Sequence, residues 1–431
     1  MKNDDNKMGP PAGDSTVVII GGGPGGASCA LTLKNLSKKL GRNINVVLYE
    51  GKIFEQSTHY NQCAGVLSPP IVDILEQRLQ IPFPYNLIQR EITGYVLYSL
   101  RENIRLTRPD HTTYALRRVA FDDYLLAMAR KRGVTVISSR VTDLEFYVDR
   151  VMVYSESTNC EADVVVGAFG LDDGTARAFE RATAYRQPAF LSTIVTKIHP
   201  EIEFMSEFGR FIHAFLPPIR QIEFGAVTPK KNHLTINIAG KKVTSDLMND
   251  FLQYPPVKTL LPSDLKYEED GLMYFKGKFP LRASRGFFGD RYVMVGDAAG
   301  LLRPLKGKGV NMGIVSGINA ANTIMNRGIS GAAFREGYRS TFREVIDDIP
   351  YGKAVRKFVA VASNTRIMDA VIAMARRDGL LEDALYDSVS AHKPFKQILC
   401  ESLKVKLMLN VILQILKLLR LRGRAAQRGR E

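Results

Sequence analysis

Two glycine clusters, set far apart in this 431-residue chain, carry the spacing that chemistry needs. In the first, the apolar run Val17–Ile20 leads into Gly21-Gly22-Gly23-Pro24-Gly25-Gly26, and the next apolar run, Asn45–Tyr49, ends at Glu50. A continuous apolar run is what a strand buried on both faces requires. Gly21 permits the tight turn that follows it. Gly23 lets backbone approach a pyrophosphate, and Gly26 lets the next helix pack closely on the strand. That helix, expected to run to about Leu36, offers unpaired N–H groups and the positive end of its dipole to phosphate oxygens. Glu50 lies near the ~20-residue offset at which an acid accepts ribose hydroxyls.

The second cluster distinguishes one dinucleotide from another. The run Arg291–Val295 ends at Gly296-Asp297-Ala298-Ala299-Gly300, followed by Pro304, Gly307 and Gly309. Asp297, just past a strand end, is placed for the ribityl or ribose hydroxyls of an extended cofactor. Gly307-Lys308-Gly309-Val310-Asn311 then opens a helix expected over 310–326. Its N-terminus would favour the negative charge of a reduced flavin ring. Both clusters on one chain imply a whole FAD. No second Gly-x-Gly-x-x-Gly follows another strand, so no dedicated nicotinamide domain is expected.

These groups need elements to hold them. The length allows two or three domains around a large core. The pattern predicts an α/β (α+β) architecture. A disordered N-terminus (1–15) precedes a Rossmann-type FAD-binding domain (16–179), in which 64–92 contributes to the substrate cavity. An inserted antiparallel-sheet substrate domain (180–280) follows, then the second part of the FAD-binding domain (281–330) and a helical C-terminal region (331–431). Runs at 95–100 and 104–108 read as paired strands of the FAD-binding domain. Within 180–280 the alternation has period two, as in antiparallel strands. Strands are expected at 190–198, 208–216, 222–228 and 233–239, with Pro229-Lys230-Lys231-Asn232 as a hairpin turn. Helix breaks are expected near Pro350, Gly379 and Pro394.

The chain carries a formal net charge of +15. From Lys393 to Glu431 there are ten Lys or Arg and two Asp or Glu, so about half of the excess sits in the tail. No nucleic-acid module is present, so no nucleic-acid partner is expected. Leu403–Leu421 reads as a helix with a narrow polar stripe (Lys406, Asn410, Gln414, Lys417) on an otherwise apolar surface. Its apolar stretch is shorter than the ~20 residues that span a bilayer. With Arg420, Arg422, Arg424, Arg428 and Arg430 after it, the tail suits an anionic membrane surface. The alternative is a helix packed on protein. The polar N-terminus has no apolar run for a secretory signal, so a cytoplasmic location is expected, peripheral to the inner face of the membrane. Cys29, Cys63, Cys160 and Cys400 are scattered without CxxC spacing, which fits a reducing compartment and no metal site.

The two clusters, the corner Arg118-x-x-Phe121-Asp122 and the run Cys63-Ala64-Gly65-Val66-Leu67-Ser68-Pro69 resemble the geranylgeranyl reductase family. That family belongs to the FAD-dependent group with the p-hydroxybenzoate hydroxylase-type fold. The resemblance spans roughly 16–320. It implies saturation of carbon–carbon double bonds in an isoprenoid lipid or quinone side chain. It also implies that Gly21, Gly23, Gly26 and Glu50 hold the adenosine diphosphate half. Arg118 would meet the cofactor phosphates, Asp297 the ribityl chain, and Gly307 and Gly309 the ring, with Gly296 also among the cofactor-binding residues. Cys63 would sit near the flavin face. An isolated alkene resists hydride addition unless a second group supplies a proton, and Cys63 and Tyr60 are the candidates for that step. Packing beside the ring is the plainer role for Cys63. Three features depart from the family pattern. Phe169 stands where related flavoproteins often have a carboxylate, Lys308 where many have Glu, and the chain has no tryptophan. Electrons would come from transiently bound NAD(P)H or from a carrier protein such as ferredoxin. The competing readings are a flavin-dependent monooxygenase or halogenase acting on a hydrophobic substrate, and a flavoprotein that only binds a partner.

Overall fold

The computed structural model describes residues 8–52, 63–109, 111–263, 271–302, 309–391 and 393–402. Its first layer is a six-stranded sheet in the order Phe288–Gly289, Tyr292–Met294, Val164–Gly167, Thr16–Ile20, Asn45–Tyr49 and Thr135–Ile137, parallel except at the Phe288–Gly289 edge. Val17, Val18 and Ile19 have no exposed surface, because the strand is covered on both faces. Sequence neighbours lie on opposite sides of Thr16–Ile20, so Gly21 leaves the sheet where the strand order reverses. That crevice is where open α/β sheets take their ligands.

Helix α1 (Pro24–Leu40) follows at once, one turn longer than its pattern suggested. Gly41, at φ +62°, stops it by returning its N–H to the carbonyls of Lys38 and Ser37. Helix α2 (Arg118–Lys131) covers the same sheet. Helix α3 (Gly309–Arg327) packs on α1.

The second layer is a seven-stranded sheet: Phe275–Pro280, Phe190–Ile198, Leu234–Gly240, Phe224–Pro229, Phe211–Phe215, Gly94–Tyr98 and Asn103–Thr107. The last two strands were expected in the FAD-binding domain. They pair with each other as expected, but Gly94–Tyr98 also runs parallel to Phe211–Phe215, with Ile212 opposite Tyr95 and His213 opposite Val96. The reason is burial. Tyr95, Leu97, Ile104 and Leu106 share a core with Ile212 and with the C-terminal helices, not with the nucleotide sheet.

Two further expectations change. Residues 8–15 are not loose. Pro11 is buried, and the Met8 carbonyl accepts the Ile329 N–H at 2.9 Å. Gly328, at φ +113°, lets the two backbones meet, since a Cβ there would stand 2.3 Å from the Met8 oxygen. Pro350 does not break its helix, which runs unbroken as α4 (Arg343–Ala362). A proline removes one intrahelical hydrogen bond, and packing outweighs it here. Asp348, two residues before the proline, accepts the N–H groups of Phe395 (3.0 Å) and Lys396 (2.8 Å), which open α7 (Phe395–Ser402).

Between α4 and α7 lie α5 (Ile367–Ala375) and α6 (Gly379–Ser390), bolted to the seven-stranded sheet. Ser99 Oγ donates to Asp369 Oδ1 at 2.6 Å, Arg376 meets Glu102 at 2.8 Å, and Arg108 meets Asp383 at 2.7 Å. Arg356 of α4 forks onto both carboxylate oxygens of Glu223.

Candidate active site

The glycines of the first cluster are fixed by close approach. Gly21 has φ +108°, and a Cβ on it would lie 2.4 Å from the Ala168 carbonyl oxygen. A Cβ on Gly26 would lie 1.9 Å from the Gly21 oxygen, so only hydrogen fits there. Gly23 is the opposite case: nothing stands within 4 Å of its missing Cβ. It is the N-cap of α1 and supplies no side-chain cap to the helix. Pro24 has no N–H, so Gly25 and Gly26 carry the first amides of α1, at a helix start that no side chain caps, as an anion site at such a start requires.

Glu50 is buried and held by backbone. Its Oε2 accepts Gly22 N–H at 2.7 Å and its Oε1 accepts Lys52 N–H at 2.9 Å. Each carboxylate oxygen retains a second lone pair for a ribose hydroxyl. The residues present thus fit the adenosine diphosphate half of FAD.

The second cluster meets the first through helix crossing. A Cβ on Gly317 of α3 would sit 2.2 Å from the Gly25 carbonyl oxygen of α1. Ser28 Oγ of α1 approaches the Ile314 carbonyl at 3.2 Å. The crossing brings the start of α3 beside Gly296-Asp297. Gly296 (φ +61°) donates its N–H to Ser316 Oγ at 2.8 Å, and Gly309 faces Asp297 Oδ1, 3.8 Å from where its Cβ would be. The close spacing of Gly313 and Gly317 signalled this approach in the sequence but was read only as helix.

Asp297 keeps some surface open, yet burial pushes its carboxyl up to about 6, against the pull of nearby Arg118. Arg118 opens α2. Its Nε donates to Asp122 Oδ1 at 2.6 Å, and its Nη1 lies 3.9 Å from Cys63 Sγ. Burial opposes its charge, but Asp122, Cys63 and Asp297 outweigh burial and hold the guanidinium firmly protonated.

Cys63 is exposed, and its sulfur accepts the Gly65 N–H at 3.3 Å. The following residues, Val66–Leu67, pair with Thr113–Leu116, the strand that leads to Arg118. Asn311 of α3 donates to the Ser68 carbonyl at 2.9 Å. The structure therefore gathers Cys63, Arg118, Asp297 and Gly309 around the start of α3. Gly21, Gly23, Gly26 and Glu50 line the turn at the start of α1, where Gly25 lies against Gly296 and Gly313. Tyr60, Gly307 and the tail Leu403–Leu421 lie outside the described residues.

Phe169, in the place of a carboxylate, is not aimed at a ligand. It stacks on Phe179 (5.4 Å between ring centres) and meets Tyr185 edge-on. Sequence reasoning missed Lys230, read only as part of a turn. It is 2% exposed, and its Nζ donates to the Leu116 carbonyl at 2.6 Å, directly beneath Gly65.

No family model matches the chain. It is 25% identical over 330 residues to the geranylgeranyl diphosphate reductase of Synechocystis sp., a match that covers 72% of this chain and 75% of that one. It is 23% identical over 270 residues to the digeranylgeranylglycerophospholipid reductase of Methanococcus vannielii, covering 57% and 65%. The chain is a relative of the geranylgeranyl reductases. The fold agrees. A geranylgeranyl bacteriochlorophyll reductase-like structure from Thermoplasma acidophilum superposes with a TM-score of 0.66 at 17% identity, over 90% of this chain and 99% of that one. This reductase relative shares its architecture with halogenating flavoenzymes too. The flavin-dependent brominase Bmp2 superposes with a TM-score of 0.58 at 18% identity, over 89% and 96%.

Proposed function

We propose that the protein is an FAD-dependent reductase that saturates carbon–carbon double bonds of an isoprenoid lipid or quinone side chain. The observation that carries this reading is the position of the Cys63 turn. It stands between the glycine cradle with Asp297 on one side and the seven-stranded sheet with Lys230 on the other. Bound FAD would supply the hydride. The chain's own residues do the rest. Gly23 and the first amides of α1 take the pyrophosphate, Glu50 the ribose, and Asp297 the ribityl hydroxyls. Cys63 Sγ carries the proton that completes the new C–H bond, and Arg118 stabilises the sulfur once that proton has left. Net chemistry is one hydride and one proton added per double bond. NAD(P)H or an electron carrier restores the reduced cofactor. The basic tail 403–431 would hold the protein at an anionic membrane surface, where such substrates are stored. Among the described residues no single helix is long and apolar enough to cross a membrane.

An anaerobic single-turnover assay tests the reading. Dithionite-reduced holoprotein is mixed with geranylgeranyl lipids and polyprenyl quinones, and the products are weighed. Flavin reoxidation with a gain of two hydrogens per bond is expected. A flavin that every lipid leaves reduced, but that modifies a substrate with O2, would replace this reading with the monooxygenase or halogenase one, which the brominase-like fold allows.

A further inference from the structure

Helix α4 has two sides of opposite character. Toward the protein, Arg356 forks onto Glu223, and Val359 and Ala362 pack with the core that holds Tyr95, Ile212 and Phe224. Away from it, Pro350, Tyr351, Ala354, Phe358 and Val361 are exposed. At 3.6 residues per turn these five fall within an arc of about 100°, on the side opposite Arg356. Phe358 is 50% exposed and Val361 66%. From Pro350 to Arg366 the chain has four cations, Lys353, Arg356, Lys357 and Arg366, and no acid. Lys353 and Lys357 are exposed along one edge of the stripe. A contiguous apolar stripe over about 15 Å of helix, rimmed by charge, marks a surface that something covers.

Charge selects what covers it. The tail is itself cationic, with ten Lys or Arg and two Asp or Glu from Lys393 to Glu431, so folding it back would set like charges beside Lys353 and Lys357. A second copy seated on the stripe would bury only a few side chains, short of the ~800 Å² per partner of a stable complex. Aromatic and aliphatic side chains beside lysines, with no acid among them, match the acyl boundary and anionic head groups of a bilayer. Position agrees. Helix α7 packs on α4, and Lys396 Nζ lies over the Tyr351 ring, 6.0 Å from its centre. The apolar run of the tail begins at Leu403, directly after α7, an eight-residue helix about 12 Å long.

We infer that the exposed stripe of α4 is a second membrane contact: Tyr351, Phe358 and Val361 enter the head-group boundary of an anionic bilayer, and Lys353 and Lys357 meet its lipid phosphates. The inference deepens the membrane reading above and rests on it for the tail, adding a contact built into the folded body. One weak anchor gives marginal, reversible binding, whereas two together hold. The stripe also orients the molecule. The buried side of α4 lies on the seven-stranded sheet through Glu223, so the bilayer meets the protein on that sheet's side.

The chain has no tryptophan, so Phe358→Trp places a single reporter on the stripe. The full-length, FAD-loaded, oxidised protein is mixed with vesicles of phosphatidylglycerol and phosphatidylcholine in equal parts, or of phosphatidylcholine alone. The emission of Phe358→Trp should move to the blue by about 10 nm with the anionic vesicles and stay in place with the neutral ones. Phe358→Ser combined with Val361→Ser should raise the lipid needed for half-binding at least fivefold and leave Tm and flavin content unchanged, since both side chains are exposed. Cutting after Ser402 should raise it at least tenfold, so that binding is lost at the lipid concentration that holds the full chain. Vesicles that pellet the full chain while its emission stays in place would overturn the inference and leave the tail reading standing. Emission already blue without vesicles, and moved to the red by the cut after Ser402, would overturn it by assigning the stripe to the tail. A mass that doubles with concentration, and no longer does so in the double serine variant, would assign the stripe to a second copy. No binding of the full chain to either vesicle would overturn both contacts. A blue shift that needs no more lipid after the cut would sink the tail reading and leave the α4 contact standing.

Discussion

At the scale of single residues, the site divides into groups that act by absence and groups that act by charge. Cys63→Ala should keep FAD, as judged by the flavin absorbance ratio, and slow product formation at least tenfold in the single-turnover assay. Near-normal turnover would remove the thiol from the mechanism. Asp297 gives a pH signature. Its folded carboxyl titrates at about 6 rather than 3.8, because burial disfavours the charge. The folded state without cofactor thus binds more protons than the unfolded chain between those values. Its contribution to stability is full below the unfolded value and is lost as pH rises through about 6. Asp297→Asn should therefore stabilise the cofactor-free protein by about 1–2 kcal/mol at pH 7.5 and by almost nothing at pH 3.5. Urea midpoints across that range would show it, and a pH-independent difference would contradict it. Gly21, Gly26, Glu50 and Asp297 were legible in the sequence because each lies within six residues of a strand end, where local spacing sets geometry. Lys230 was not. Its approach to Cys63 depends on strand register and on a contact 114 residues away, at Leu116.

Elements show the same division. Thr16–Ile20, Asn45–Tyr49 and Tyr292–Met294 of the six-stranded sheet announced themselves by apolar runs, and α1 and α3 by the glycines that open them, whereas the two-residue edge Phe288–Gly289 carried no such signal. The crossing of those helices is tighter than helical periodicity alone conveys. Gly317→Ala would press a methyl to 2.2 Å from the Gly25 oxygen and 2.5 Å from Ser28 Oγ. Overpacking of this kind costs about 1–3 kcal/mol. The expected result is a lower Tm together with weaker FAD retention, because α1 and α3 carry the two ends of the cradle. A change in Tm without loss of flavin would mean that the crossing is structural only. The partnership of Gly94–Tyr98 with Phe211–Phe215 was invisible in the same way as Lys230. A strand's pattern tells which face is buried, not which distant strand lies beside it.

For the whole molecule, the tail is the test of location, and α7 decides where to cut. Phe395 and Ile398 are buried, and Asp348 caps the start of α7. A truncation after Ser402 should release the protein from anionic vesicles and leave its Tm unchanged. A truncation after Pro394 should also lower Tm, because Asp348 loses both of its backbone partners. Vesicle binding that survives the cut after Ser402 would remove the tail from the membrane reading. The order in which the chain builds its two sheets has a consequence for synthesis. The six-stranded sheet needs Thr16–Ile20, Val164–Gly167 and Tyr292–Met294, while the seven-stranded sheet needs Gly94–Tyr98, Phe211–Phe215 and Phe275–Pro280. The two are interleaved along the chain, so neither closes until Phe275–Pro280 and Tyr292–Met294 have left the ribosome. Until then Val17–Ile20 and Tyr95–Leu97 wait with unpaired edges, open to wrong partners. The nascent protein is thus a natural client for chaperones through most of its translation, and no cut of the gene between the two sheets would yield two independently folding halves.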